Sequence, residues 1–189
     1  MNFFLIVLGY VFMGASVKYV DQVRDARVFD PRWGWLLVLF SGVLMAFFMY
    51  SDVWSATILV ALIAGNFVAG KIDALEFKTM VAVALLLPIT ASLLFDTAYF
   101  TQTLDWFVFS ALALAGLLDE KANDLSDKKK LHHLVHFFFH HRVFTPLVLV
   151  WFVVLSILPF MYLLAFLGFD LAYTMVEKSS TCAGNRSLE

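Results

Sequence analysis

Six apolar stretches, at roughly residues 2–20, 33–50, 54–70, 79–95, 104–118 and 143–168, constrain this chain more than any other feature. Each is close to the ~20 residues that a helix needs to cross a hydrocarbon core about 30 Å thick. The fifth is short and the sixth is long enough to tilt. A chain of 189 residues that is 62% hydrophobic cannot hide this much apolar surface in one small core, because a small domain leaves too much surface uncovered. Lipid is the solvent that suits it. The expected fold is an all-α membrane protein, a bundle of about six transmembrane helices. Residues 1–178 form the membrane domain, and residues 179–189 read as a polar tail that ends like a cloning remnant. The N-terminus has no basic region of the kind that opens a signal peptide, so it reads as the first span. Pro88 and Pro159 fall inside spans four and six and predict local kinks.

Charge predicts the topology. The loops after spans one, three and five hold 11 of the 13 lysines and arginines. Residues 33–70 and 79–120 hold none. Basic loops stay on the cytoplasmic side, which predicts both termini on the non-cytoplasmic side. Trp33, Trp35, Trp54 and Trp106 open spans at the depth where indoles favour the interface.

A 51-residue period is also present. Gly14, Gly65 and Gly116 are each followed by a lysine (Lys18, Lys71, Lys121) and then by an aspartate (Asp21, Asp73, Asp124). Asp52 and Asp105 open the second and third copies. This reads as three repeated helical hairpins. The alternative is that six spans of similar length produce the period without ancestry.

Two constellations carry chemistry. The first is acidic. Asp21 and Asp25 share a helix face, as do Asp119, Asn123 and Asp127, while Asp73 borders span three and Asp124 follows span five. Carboxylates grouped at helix ends suit Mg²⁺, which prefers oxygen ligands and keeps waters that a phosphate can replace. Asp21, Asp25, Asp73, Asp119, Asp124 and Asp127 are thus the candidate metal ligands, with Lys18, Lys71 and Lys121 as phosphate-binding cations. Asp73 and Asp119 lie against apolar helix, where an ionisable group is costly unless it faces the bundle interior, so Asp73 is expected near Asp21 and Asp124. The competing reading is local: acid–base pairs three or four residues apart solubilise exposed helix turns.

The segment Asn123-Asp124-Leu125-Ser126-Asp127 resembles the NDxxD core of UbiA-type intramembrane prenyltransferases, and Asp21-Gln22-Val23-Arg24-Asp25 resembles their DxxxD motif. The resemblance covers roughly ten residues. It implies Mg²⁺-assisted binding of a prenyl diphosphate at cytoplasmic helix ends.

The second constellation is histidine. All five histidines fall between His132 and His141. His132, His136 and His140 form one helical row that could hold Zn²⁺, Fe or Cu. The preferred reading of residues 128–142 is an amphipathic helix on the cytoplasmic membrane surface, its cations at lipid headgroups and its phenylalanines in the acyl boundary.

Other classes are excluded or unsupported. Cys182 is the single cysteine, so no disulfide framework exists within the chain. The P-loop, nucleophile-elbow and dinucleotide fingerprints are absent. The basic residues are explained by topology, which leaves no case for nucleic acid; membrane lipids are the expected partners. The leading expectation is a membrane-embedded enzyme acting on a lipid or polyprenyl phosphate with a divalent cation at a cytoplasmic-face acidic site. The alternatives are a small ion or solute transporter or channel with a cytoplasmic Lys/Asp gate, which would need to oligomerise or carry a small ion, and a non-catalytic subunit of a membrane complex.

Overall fold

The computed structural model describes residues 2–25, 29–95, 104–128 and 142–186, without the side chains of residues 25, 127, 128 and 181–186. Among them the chain forms seven helices and no strand: α1 (Phe3–Asp25), α2 (Pro31–Ser51), α3 (Val53–Val68), α4 (Leu75–Leu94), α5 (Trp106–Lys128), α6 (Phe144–Val154) and α7 (Phe160–Arg186). Four of these, α1, α2, α4 and α7, are long and apolar enough to cross a membrane. α3 and α6 are shorter apolar helices. Large apolar side chains such as Phe4, Leu8, Phe40, Leu93, Phe107 and Trp151 stand exposed on the outside, as lipid contact requires.

Short polar signals set the boundaries. Asp30 caps α2, accepting from the Arg32 N–H at 2.8 Å, and Pro31 occupies the first turn, where its missing donor costs nothing. Asp52 both ends α2 and caps α3, its side chain accepting from the Ser55 N–H at 2.8 Å. Asp105 caps α5, accepting from the N–H groups of Phe107 and Val108. α3 stops at Gly70, whose φ of +77° lets the N–H groups of Gly70 and Lys71 fold back onto the carbonyls of Phe67 and Asn66.

The sixth apolar stretch departs from expectation. It is not one tilted helix but two, α6 and the start of α7, separated at residues 155–159. Ser156 adopts φ +58°, and the N–H groups of Ser156 and Ile157 bond the carbonyls of Val153 and Phe152. This is the same helix stop that Gly70 makes, followed by Pro159, which begins the next turn. α7 then continues past residue 168 and through the expected polar tail to Arg186.

Three neighbouring pairs organise the bundle: α1 with α7, α2 with α4, and α3 with α5. A Cβ placed at Gly14 would run into the carbonyl of Phe169, and one at Gly65 would lie 2.8 Å from the Ala113 carbonyl oxygen, so both glycines allow backbone-to-backbone approach. Gly14 meets Phe169, Lys18 meets Glu177 and Gln22 meets Ser180, so α7 runs parallel to α1. The N-terminal end of α1 and the C-terminal end of α7 therefore lie at opposite ends of the bundle. The expectation that both termini share one side assumed a single sixth span and does not fit this packing. The core runs between the helices through Tyr10, Met13, Phe48, Met49, Ile58, Leu112 and Leu149.

Candidate functional site

The helix ends that carry the basic residues enclose a cavity of about 440 Å³. α1 contributes Lys18 and Asp21, the turn after α3 contributes Lys71, and α5 contributes Asp119, Glu120 and Asn123. Arg142 enters from just ahead of α6, and Asp170 and Tyr173 from α7. Met45, Leu59, Met80 and Phe166 complete the wall. Leu59 lies nine residues before the end of α3, about 14 Å of helix deeper than the charged rim. The cavity is thus polar at the basic end and apolar toward the bundle centre.

Each charged group has a defined partner. Lys18 is buried and holds Asp21 and Glu177 at 2.9 Å each, with its ammonium 4.8 Å from the Tyr173 ring centre. The Arg142 guanidinium lies 4.7 Å from the same ring, so one aromatic face system serves two cations. Lys71 holds Asp124 at 2.6 Å and approaches Glu120 at 3.7 Å. Glu120 is buried at 4% exposure, and its other oxygen takes Arg142 Nη2 at 2.8 Å. Partial burial works against the Lys71 charge, but the Asp124 hydrogen bond and the charges of Glu120 and Asp124 outweigh it and raise its pKa above the ordinary lysine value. Arg142 itself has φ +42°, a left-handed conformation that costs a side-chain-bearing residue about 1–2 kcal/mol.

The expected site residues divide. Asp21, Lys18, Lys71 and Asp119 line the cavity, and Asp124 reaches it through Lys71. Asp119 does a structural job there: its two oxygens accept the N–H groups of Phe144 and Thr145 at 2.8 Å each, capping α6, whose own Val143 supplies no side-chain cap. Lys121 is exposed. Asp73 does not face the interior: its side chain is 64% exposed and pairs across the surface with Arg24 at 3.0 and 3.3 Å. It sits past Gly70 in the linker to α4, where it need not enter the bundle. The side chains of Asp25 and Asp127 lie outside the described residues, as do His132, His136 and His140 and most of the expected surface helix. Among the described residues no three carboxylates, imidazoles or thiols come together as a metal-ligand set.

Sequence reasoning missed Glu120, Arg142, Asp170 and Tyr173 as site residues. In the sequence Glu120 is one acid among several near the end of the fifth apolar stretch, and Arg142 is one of the cations assigned to lipid headgroups. Asp170 and Tyr173 lay beyond the presumed end of the last span. Comparison with protein families, with curated proteins and with solved structures finds no match to this chain.

Proposed function

We propose that this chain is an integral membrane enzyme that binds and transforms a phosphate-bearing lipid, such as a polyprenyl phosphate, at the basic end of its bundle. The observation that carries this reading is the two-part cavity, with Lys18, Lys71 and Arg142 at one end and apolar side chains deeper along the helices. An amphiphile with an anionic head and a hydrocarbon chain matches that division. By the positive-inside rule the basic end is cytoplasmic, which puts the start of α1 outside and the end of α7 inside.

Charge supports a divalent cation alongside the phosphate. The lining holds three cations (Lys18, Lys71, Arg142) against four carboxylates (Asp21, Asp119, Glu120, Asp170). A phosphate added alone would deepen that negative balance, whereas Mg²⁺ with it would offset the added charge. Mg²⁺ commonly takes one or two protein carboxylates and fills its shell with phosphate oxygens and water, so it needs no dense acidic cluster. Asp21, Asn123 and Asp170, which all line the cavity, are the residues that would hold it; when bound it would neutralise charge on the phosphate oxygens. Asp21 and Asn123 come from the two segments that resemble the UbiA-type motifs, and both line this cavity.

The test is turnover of short-chain polyprenyl phosphate or phosphatidic acid by the protein in lipid nanodiscs, with Mg²⁺ or with EDTA. Mg²⁺-dependent conversion that is lost in Asp21→Asn supports the reading. Absence of both conversion and retention of any lipid phosphate overturns it. A second reading, a transporter whose cytoplasmic mouth is closed by the Lys18–Asp21 and Lys71–Asp124 pairs, draws on those ion pairs. Solute uptake into proteoliposomes without chemical change would favour it.

A further inference from the structure

We infer that Lys71 and Arg142 form a two-cation clamp on the phosphate, spaced and aimed by the buried carboxylate of Glu120. This rests on the lipid-phosphate reading and names the groups that would recognise the head. Glu120 lies between the two cations, one oxygen at 2.8 Å from Arg142 Nη2 and the other at 3.7 Å from Lys71 Nζ. One rigid carboxylate thus contacts both cations, one on each oxygen. All three residues line the one cavity.

The two cations are unequal in the way a clamp needs. Arg142 carries a planar guanidinium with five N–H donors, and the Glu120 contact engages one terminal nitrogen. Its geometry suits a forked grip on two phosphate oxygens. Lys71 supplies a compact charge on a flexible stem, already fixed by Asp124 at 2.6 Å. Tyr173 supports the guanidinium from its ring face at 4.7 Å. The left-handed backbone of Arg142 fits a residue held for its side chain rather than for its turn. Glu120 is then a positioning residue, and it does not itself contact the phosphate.

The experiment measures binding to the full chain in nanodiscs of neutral lipid, using two probes: dioctanoyl phosphatidic acid and inorganic phosphate. Arg142→Gln should weaken phosphatidic acid roughly tenfold or more, as loss of a charged partner in a desolvated site does. Arg142→Lys should recover part of that loss, since it restores the charge without the fork. Glu120→Gln should weaken the same probe while leaving the helical circular dichroism intact. Arg24→Gln, on the outer surface, should stay within about twofold. Phosphatidic acid binding well above inorganic phosphate assigns the source to a lipid head; equal binding assigns it to free phosphate, and in both cases Arg142→Gln must lower it. If the unaltered protein binds phosphatidic acid and Arg142→Gln binds it equally, the clamp is wrong and the lipid-phosphate reading stands. If the folded unaltered protein binds neither probe, both fail.

Discussion

Asp119 shows how a carboxylate beside an apolar helix can be fully occupied by backbone. It has 3% exposure, and both oxygens accept N–H groups at the start of α6. Asp119→Ala would leave those two donors buried and unpaired. The loss should be about 1–2 kcal/mol, read as a lowered unfolding midpoint in detergent, and an unchanged midpoint would contradict the capping role. Asp52 and Asp73 make a second contrast. Asp52 caps α3 and accepts the Tyr162 hydroxyl at 2.7 and 2.8 Å, whereas Asp73 makes a solvent-exposed pair with Arg24. Asp52→Ala should therefore destabilise more than Asp73→Ala, the reverse of what depth in sequence suggests. The Arg24 hydrogen bond, against a small opposing effect of burial, lowers the Asp73 pKa from its ordinary 3.8. The pair's contribution is present above that ordinary value and is lost as pH falls through the lowered one. A thermal series of unaltered protein and Asp73→Asn should show a small gap at neutral pH that closes in acid; a gap that widens in acid would be wrong. Side-chain roles of this kind were not legible beforehand, because pattern gives a residue's place along a helix and not which way the neighbouring helix faces.

At the scale of elements, the spans were legible and their ends less so. Hydropathy located helices α1 to α5, of which α1, α2 and α4 are long and apolar enough to cross a membrane. The break between α6 and α7 was hidden because its residues, Leu155-Ser-Ile-Leu-Pro159, are almost as apolar as the helices they separate. The left-handed stop falls on Ser156 rather than on a glycine, so the usual signal was missing. The far half of α7 was hidden for the opposite reason. Asp170, Glu177 and Lys178 lower its hydropathy, yet Glu177 pairs with Lys18 of α1 and Asp170 lines the cavity. The parts of the 51-residue period have separate structural roles. Asp52 and Asp105 recur as helix caps, and the three glycines differ in surroundings. Gly14 and Gly65 face backbone, whereas a Cβ at Gly116 would meet only Leu62 Cδ2 at 3.9 Å. Gly14→Ala should therefore lose folded protein on size-exclusion chromatography, while Gly116→Ala should elute as the unaltered chain. Equal tolerance of both would argue against the close α1–α7 crossing.

For the whole molecule, the decisive feature is that α7 returns beside α1 in the same direction. That return buries Lys18 against Glu177 and Tyr173 and brings Asp170 and Tyr173 to residues from α1, α3 and α5. Without it the cations would be separate surface charges at helix ends, as the local reading of the sequence would have them. The candidate site was thus half legible: its residue types and its end of the bundle followed from charge, while the closure into one cavity depended on a helix whose course the sequence obscured. The parallel return can be tested by paired cysteines in a Cys182→Ser background, with mild oxidation in native membranes. Gln22→Cys with Ser180→Cys should cross-link rapidly, because the parent side chains lie 3.0 Å apart. Gln22→Cys with Phe160→Cys should not, since Phe160 begins α7 at the other end. Cross-linking of the second pair in place of the first would contradict the parallel return and, with it, the cavity.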